Sequence, residues 1–423
     1  MVHVVGAGVA GLACATALAG SGHAVTLYEA TGRAGGRCRS YADPVLDRTV
    51  DNGNHLILGG NPEVFRYLDR IGARDQLIHT APTRIPFRDL ADGTSWILAP
   101  GPALWPFWLL DPHRRVPGAG ALAHLRALLR LILSPPGATV ADRVDPGSPI
   151  TRRLLTPLAV SILNTEAEAG SARLLGTVFR RTLLRGESAC RPHVAREGLS
   201  HSLVDPAILF LERHGVPIRW NARLTGMERD RTGRVLRLRF GEDMVAPGPE
   251  DRVVLALPPD RAAALLPDLP VPTESRAILN AHFRVDRPIP LPGDSPLLGV
   301  VGGTVEWIFS RDDVLSVTVS AADRWMEMPV ETLGPLLWQD VARALDQPGA
   351  CPVFRIVKEK RATFAARPGL KRAGAFAPGG NLFLAGDWTD TGLPATIEGA
   401  VQSGHRAAAL CSQRHPCTGR INR

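Results

Sequence analysis

The run Gly6-Ala-Gly8-Val-Ala-Gly11 constrains this chain more than any other stretch of it. Met1 to Val5 before it is a short apolar run that reads as a buried strand, and Leu12 to Ala19 after it reads as a helix rich in Ala and Leu. Gly20 to His23 turns the chain, and Ala24 to Tyr28 is a second apolar strand ending at Glu29. Strand, glycine turn, helix, strand and terminal acid in this order make a dinucleotide-binding βαβ unit. Gly6 permits the tight turn, Gly8 lets backbone N–H groups reach a pyrophosphate, and Gly11 lets the helix pack against the sheet. The helix N-terminus offers unpaired N–H donors and positive potential to phosphate. Glu29 accepts hydrogen bonds from ribose hydroxyls, and its charge disfavours a 2′-phosphate.

Gly32-Arg33-Ala34-Gly35-Gly36-Arg37 follows directly. A glycine-rich turn there wraps the far side of the pyrophosphate, with Arg33 and Arg37 supplying charge. A second strong signal lies near the other end. Asn381 to Asp387 is an apolar strand ending in Gly386-Asp387, and Gly392-Leu-Pro394-Ala-Thr396-Ile397 opens a helix running to Leu410. An Asp at the strand end bonds a ribityl hydroxyl, and the helix start turns N–H dipoles toward a flavin's pyrimidine end. The two ends close one discontinuous domain. There is no second Gly-x-Gly-x-x-Gly, so no separate nicotinamide domain is expected.

Between these ends, Asn61-Pro62-Glu63 starts a helix over 64–71. Residues 80–100 alternate and read as strands. Leu104-Trp-Pro-Phe-Trp-Leu-Leu110 is a dense aromatic patch, followed by an amphipathic helix from Ala119 to Leu133 that carries His124, Arg126 and Arg130. Patch and helix together read as a membrane-surface element, or else as cavity lining or core. Residues 150–190 are helical in pattern, with Asn164-Thr165-Glu166 opening a helix through Leu184. Ala207 to His214 is a helix, 217–220 a strand of the parallel sheet, and 227–257 a small meander with its return strand. Strands near 297–309 and 314–320 and a helix near 330–345 complete the middle. The expected division is a cofactor domain of 1–75, 205–262 and 350–412, a substrate and membrane-facing domain of 76–204 and 263–349, and a tail of 413–423.

The chain has 423 residues and a net charge of +8, carried almost wholly by arginine, since its lysines are Lys358, Lys360 and Lys371. A basic surface suits an anionic lipid face, or it reflects a compositional preference for Arg. Nucleic acid is not the expected partner. The six cysteines form no Cys-x-x-Cys, which argues for reduced thiols and against a metal site. No apolar run reaches the ~18 residues that span a bilayer. The location expected is cytoplasmic, peripheral on the inner face of the cytoplasmic membrane.

The glycine and arginine turns resemble the start of flavoenzymes of the amine oxidase and phytoene desaturase superfamily. Asp51-Asn-Gly-Asn-His55, Leu163 to Leu175, Glu359-Lys-Arg-Ala-Thr363 and Gly392 to Gly404 are similar to squalene-associated FAD-dependent desaturases. The resemblance implies an α/β fold, a Rossmann-like FAD-binding domain with an inserted mixed α+β substrate domain. It implies FAD, held non-covalently, since no Cys, His or Tyr lies between Asp387 and Ala400. It implies hydroxysqualene dehydroxylation in squalene and hopanoid synthesis, on a polyprenyl hydrocarbon. A desaturase running hydride transfer the other way, and a prenyl-lipid escort on the same fold, are the alternatives. Gly53, Asn54 and His55 then pass beside the flavin ring, although Asn54 stands where Gln is expected. The candidate acids are His55, unless it caps a turn, and Glu166, unless it serves only the helix dipole. Lys360 approaches flavin N5 through a water, unless it pairs with Glu359.

Overall fold

The computed structural model describes residues 1–102, 106–377 and 380–413. A five-stranded parallel sheet holds the cofactor end. Its order is β10 (Ile218–Arg219), β2 (Val25–Tyr28), β1 (Val2–Val5), β14 (Arg252–Leu255) and β20 (Leu382–Leu384). β1, β2 and β20 are buried at every position, as strands covered on both faces must be. Helix α1 (Val9–Gly20) is apolar all round and lies between this sheet and α10 (Ile397–Ser412). α2 (Pro62–Ile71) and α7 (Asp205–Arg213) complete this layer, α7 being entered through a π-helical turn at Ser200–Val204. α8 (Pro259–Leu265) follows β14.

A seven-stranded sheet forms the second half. Its order is β19 (Val353–Phe364), β15 (Ser275–Arg284), β18 (Val314–Val319), β17 (Trp307–Arg311), β16 (Leu297–Val301), β7 (Ile85–Asp89) and β8 (Ser95–Leu98). Only the β16–β7 pair is parallel. On β18, Leu315, Val317 and Val319 face α9 (Val330–Ala344) and its Leu333, Leu337 and Val341. Ser316 and Thr318 alternate onto the opposite face, where they meet His282 and Asn280 of β15. A helical layer covers the far end. It comprises α3 (Ala121–Ile132), α4 (Thr156–Leu163), α5 (Ala172–Arg181) and the short α6 (Glu187–Cys190). Small sheets complete the chain. They are β3 (Ser40–Asp43) with β4 (Arg48–Asp51), β5 (Ile57–Leu58) with β9 (Pro192–Ala195) and β6 (Leu77–His79), and β11 (Gly226–Arg229), β12 (Val235–Phe240) and β13 (Asp243–Val245).

Two sequence expectations are corrected here, and one alternative left open is decided in part. Asn164 does not open a helix: it ends α4 in the left-handed conformation, and the next helix starts at Ala172, capped by Ser171. Residues 353–364, expected in the cofactor domain, are β19 at the edge of the seven-stranded sheet. Charged residues on both faces of β19, normal for an edge strand, hide the alternation that marks an inner one. In the aromatic patch, Trp108 and Leu109 are core, and His124 is buried with Nδ1 on Gly120 O at 2.9 Å. Leu104, Trp105 and the tail beyond Gln413 lie outside the described residues. The five described cysteines are free, and no cluster among the described residues suits a metal ion.

Candidate active site

The Gly6–Gly11 turn and the Gly32–Arg37 turn face each other. Gly35 N donates to Ala7 O at 2.8 Å, and Gly8 bridges to Gly35. A Cβ on Gly36 would lie 3.5 Å from Gly8 Cα, whereas a Cβ on Gly8 would meet nothing within 4 Å. Gly8 therefore borders an open cradle in front of α1. The first turn of α1 has no capping side chain and no acid, so its N–H groups and dipole face that cradle uncompensated. Glu29 is fixed beside it: Oε2 accepts from Ala7 N at 2.9 Å, and Oε1 accepts from the Thr31 N and Oγ1 at 3.0 Å. Arg33 is exposed.

Arg37 joins the two ends of the chain. It pairs with Asp387 at 2.7 Å and donates to Ala362 O at 2.6 Å. Asp387 follows Gly386, whose N–H donates to Ser403 Oγ of α10 at 2.8 Å. Thr396 caps α10 by accepting from Gly399 N at 3.0 Å, which puts Pro394, Thr396 and Ile397 at the helix mouth. The acid of that first turn is used elsewhere. Glu398 accepts from Glu63 N and Val64 N at the start of α2, and burial pushes its carboxyl up to about 7. Because burial keeps Glu398 partly protonated at neutral pH, it offsets the α10 dipole less than an ordinary carboxylate would.

Asp51 to His55 crosses from this half to the seven-stranded sheet. Asp51 O meets His282 Nε2 at 3.0 Å, and Asn54 Nδ2 donates to Thr318 Oγ1 at 3.1 Å. Gly53 sits against Asn280, whose Nδ2 would be 3.4 Å from an added Cβ. His55 follows in this wall. Burial lowers its pKa to about 4, with Asp51 opposing and Arg37 adding to the shift. At neutral pH it is an uncharged imidazole and carries no cationic proton to give.

The other two candidate catalytic residues stand away from this wall. Glu166 is exposed in the turn after α4. Lys360 is exposed on β19 and pairs with Glu327 at 3.0 Å, not with Glu359. Parity on the strand explains this. Lys358 and Lys360 share one face, with Lys358 Nζ on Met326 O and Met328 O, while Glu359 lies on the other and acts on the Arg37 charge.

Sequence reasoning missed Glu306. It lies between β16 and β17, deep in the protein yet only partly closed off, as a residue lining an internal space is. Arg37, also deep, keeps 45 % of its side-chain surface accessible, and the cradle accounts for it. The signal available in sequence was a single acid inside the apolar run from Leu297 to Phe309. Above Glu306 runs α4, whose Leu158, Ile162 and neighbouring Trp307 are partly buried around an apolar core.

The cradle, the starts of α1 and α10, Glu29 and the Arg37–Asp387 pair fit a phosphate-bearing flavin cofactor. The comparisons agree. Residues 9–412 match the family model described as flavin-containing amine oxidoreductase. A hydroxysqualene dehydroxylase of Sinorhizobium fredii is 44 % identical over 97 % of this chain and 97 % of its own. A 15-cis-phytoene desaturase of Synechococcus elongatus is 24 % identical over 96 % of this chain and 94 % of its own. The solved cyclohexylamine oxidase of Brevibacterium oxydans superposes with a TM-score of 0.72 at 18 % identity, covering 97 % of this chain and 98 % of that one. The chain is a flavin-dependent oxidoreductase that belongs to the flavin-containing amine oxidoreductase family and, within it, to the hydroxysqualene dehydroxylases.

Proposed function

We propose that this protein is an FAD-dependent hydroxysqualene dehydroxylase that reduces hydroxysqualene to squalene. The observation that carries the reading is the 44 % identity, over 97 % of both chains, to a protein named for that activity. The geometry supports it: an apolar wall of α4 and Trp307 stands beside the Gly53–His55 segment, suited to a long hydrocarbon. Glu29 beside the glycine turn supports an adenosine ribose, hence FAD. The absence of Cys, His and Tyr between Asp387 and Ala400 supports non-covalent binding at that loop.

When bound, a reduced flavin supplies the hydride that replaces the hydroxyl. The chain's own residues do the rest. The α1 N-terminus and Arg37 hold phosphate charge, and Asp387 orients Arg37. The α10 N-terminus favours negative charge at the ring's edge. The apolar wall excludes water from an allylic centre that would otherwise be trapped by it.

Chemically reduced protein, held anaerobically, is expected to convert hydroxysqualene to squalene in one turnover, with flavin reoxidised one for one on the same time course. Oxidised protein that instead takes hydride from a saturated polyprenyl chain, with reduced protein inert toward the alcohol, would establish the desaturase.

The reading carries a location, peripheral on the inner face of the cytoplasmic membrane. No helix among the described residues is long and apolar enough to cross a membrane. Phe107 and Leu110, at the start of the segment leading to α3, are 67 % and 71 % exposed, and Leu122 of α3 and Leu133 just after it are 57 % and 72 % exposed. Arg126 and Arg130 are exposed on the same helix. Apolar side chains flanked by arginines suit an anionic bilayer. A Phe107→Ser/Leu110→Ser variant should bind anionic vesicles ~30-fold less tightly or weaker still, since each of the two lost apolar side chains is worth ~1 kcal/mol or more. Unchanged binding at low and high salt would exclude this surface.

A further inference from the structure

Glu306 sits where the seven-stranded sheet meets α4. Its Oε2 accepts from Ser320 N at 3.1 Å and from Ser161 Oγ of α4 at 3.2 Å. Ser161 Oγ itself accepts from Trp307 Nε1 at 2.8 Å. One oxygen is therefore held from both the sheet and the helix, which fixes the plane of the carboxyl. The other, Oε1, has no hydrogen-bond partner among the described residues, yet it is not sealed from contact. It is the oxygen left to face a ligand.

Its position follows from strand geometry. Ser320 is two residues beyond Thr318 on the same face of the chain, and Thr318 holds Asn54 of the flavin-side wall. Two residues along a strand span ~7 Å, about one layer of side chains. Glu306 thus lies one layer from the Gly53–His55 segment, among the apolar side chains of Leu158, Ile162 and Trp307. His55 nearby is neutral, and Glu166 and Lys360 are exposed elsewhere.

We propose that Glu306 is the proton donor to the hydroxyl group that leaves the substrate, an inference that rests on the hydroxysqualene reading above. The Glu306 O–H bond breaks, and its proton goes to the hydroxyl oxygen. The C–O bond breaks with its electron pair on oxygen, and water departs. The carbon takes the hydride, so the alcohol is reduced and the reductant loses two electrons. The Glu306 carboxylate regains a proton from solvent.

The charge state suits the task. Burial raises the Glu306 pKa to about 7, against the opposing hydrogen bonds of Ser320 and Ser161, and no charged side chain among the described residues contributes. The neutral, donating form is present below that value and is lost as pH rises through it. A carboxylic acid poised near the working pH is the efficient general acid.

The test compares wild type, Glu306→Gln and Glu306→Asp, each loaded with flavin. Infrared difference spectra across pH should show protonated-carboxyl C=O intensity titrating near 7 in wild type, and Glu306→Gln should lose the Glu306 part of it while the Glu398 part remains. Single-turnover formation of squalene should fall ~10²-fold or more in Glu306→Gln. Flavin content should be unchanged, and the wild type's loss of rate at alkaline pH should disappear. Glu306→Asp should regain part of the rate, which a variant that merely fails to fold would not. A Glu306→Gln variant with the rate and pH profile of wild type overturns the assignment and leaves the dehydroxylase reading standing. A wild type that makes no squalene overturns that reading, and this role with it.

Discussion

Replacing Gly11 by valine is expected to abolish flavin binding. A Cβ at Gly11 would lie 1.9 Å from Gly6 O and 3.1 Å from Ala256 Cβ. Neither neighbour can retreat. Gly6 is pinned by its N–H on Tyr28 O at 2.7 Å, and at φ +107° it already stands where its own Cβ would meet Ala256 O at 2.4 Å. The new Cβ, fixed to the helix backbone, clashes with backbone, so the turn must open, and the N–H groups of α1 then no longer converge on the cradle. Gly8→Ala is the control, because its Cβ meets no protein atom. That variant should keep the thermal midpoint of the flavin-free protein while holding flavin less tightly. Visible absorbance of the purified proteins and melting of their flavin-free forms separate the two effects. A Gly11→Val protein carrying a full complement of flavin would refute the argument.

Asn164→Ala should cost about 4 kcal/mol or more, since each of the three polar groups left unmatched is worth at least ~1 kcal/mol and a left-handed alanine ~1 kcal/mol. Asn164 is 2 % exposed and clasps three parts of the sheet. Its Oδ1 accepts from Ala321 N at 2.6 Å, and its Nδ2 donates to Thr363 Oγ1 at 2.9 Å and to Arg276 O at 3.3 Å. Thr165 adds a fourth tie by accepting from Ala366 N at 3.1 Å. Thermal unfolding should shift down by on the order of 5 °C for a chain of this size. Asn164→Asp keeps the acceptor and tolerates the left-handed backbone, so it should lose less. Equal midpoints for the alanine variant and wild type would mean the clasp holds nothing.

That clasp shows where sequence reasoning stopped. Asn-Thr-Glu before an apolar run has the look of a helix start, because Asn and Thr cap N-termini. Asn is also the residue that, after glycine, most readily ends a helix in the left-handed region. Local sequence does not distinguish the two, and only the partners on β15, β19 and the turn after β18 do. The cofactor unit was legible because its pattern is local: strand, turn and helix lie within thirty residues, and Gly11 answers to Gly6 in the same turn. The Arg37–Asp387 pair was half legible, each residue flagged by its own motif and their meeting left to the fold. Lys360 failed on parity, since a one-residue change along a strand reverses the face and β19 carries charge on both. Glu306 draws its meaning from Ser161 and Ser320, which lie on other elements. Trp108 shared an apolar cluster with Phe107 and Leu110, and composition gave no way to see that it alone of the three turns inward.

The parallel sheet sets β1 and β20 on either side of β14, and α10 rests so closely on α1 that a Cβ on Gly404 would lie 2.2 Å from Ala10 O. These partners come from opposite ends of the polypeptide. At ~5–20 residues per second, roughly 20 to 80 s pass on the ribosome between the emergence of α1 and that of α10. Throughout that interval the apolar helix that opens the chain has nothing to cover its outer side, and Arg37 has no Asp387. The uncovered face of α1 is therefore expected to recruit chaperones during synthesis, and stable cofactor binding to wait until β20 and α10 have joined the sheet. Messages truncated before β20 should yield insoluble, colourless chains rather than a working N-terminal half.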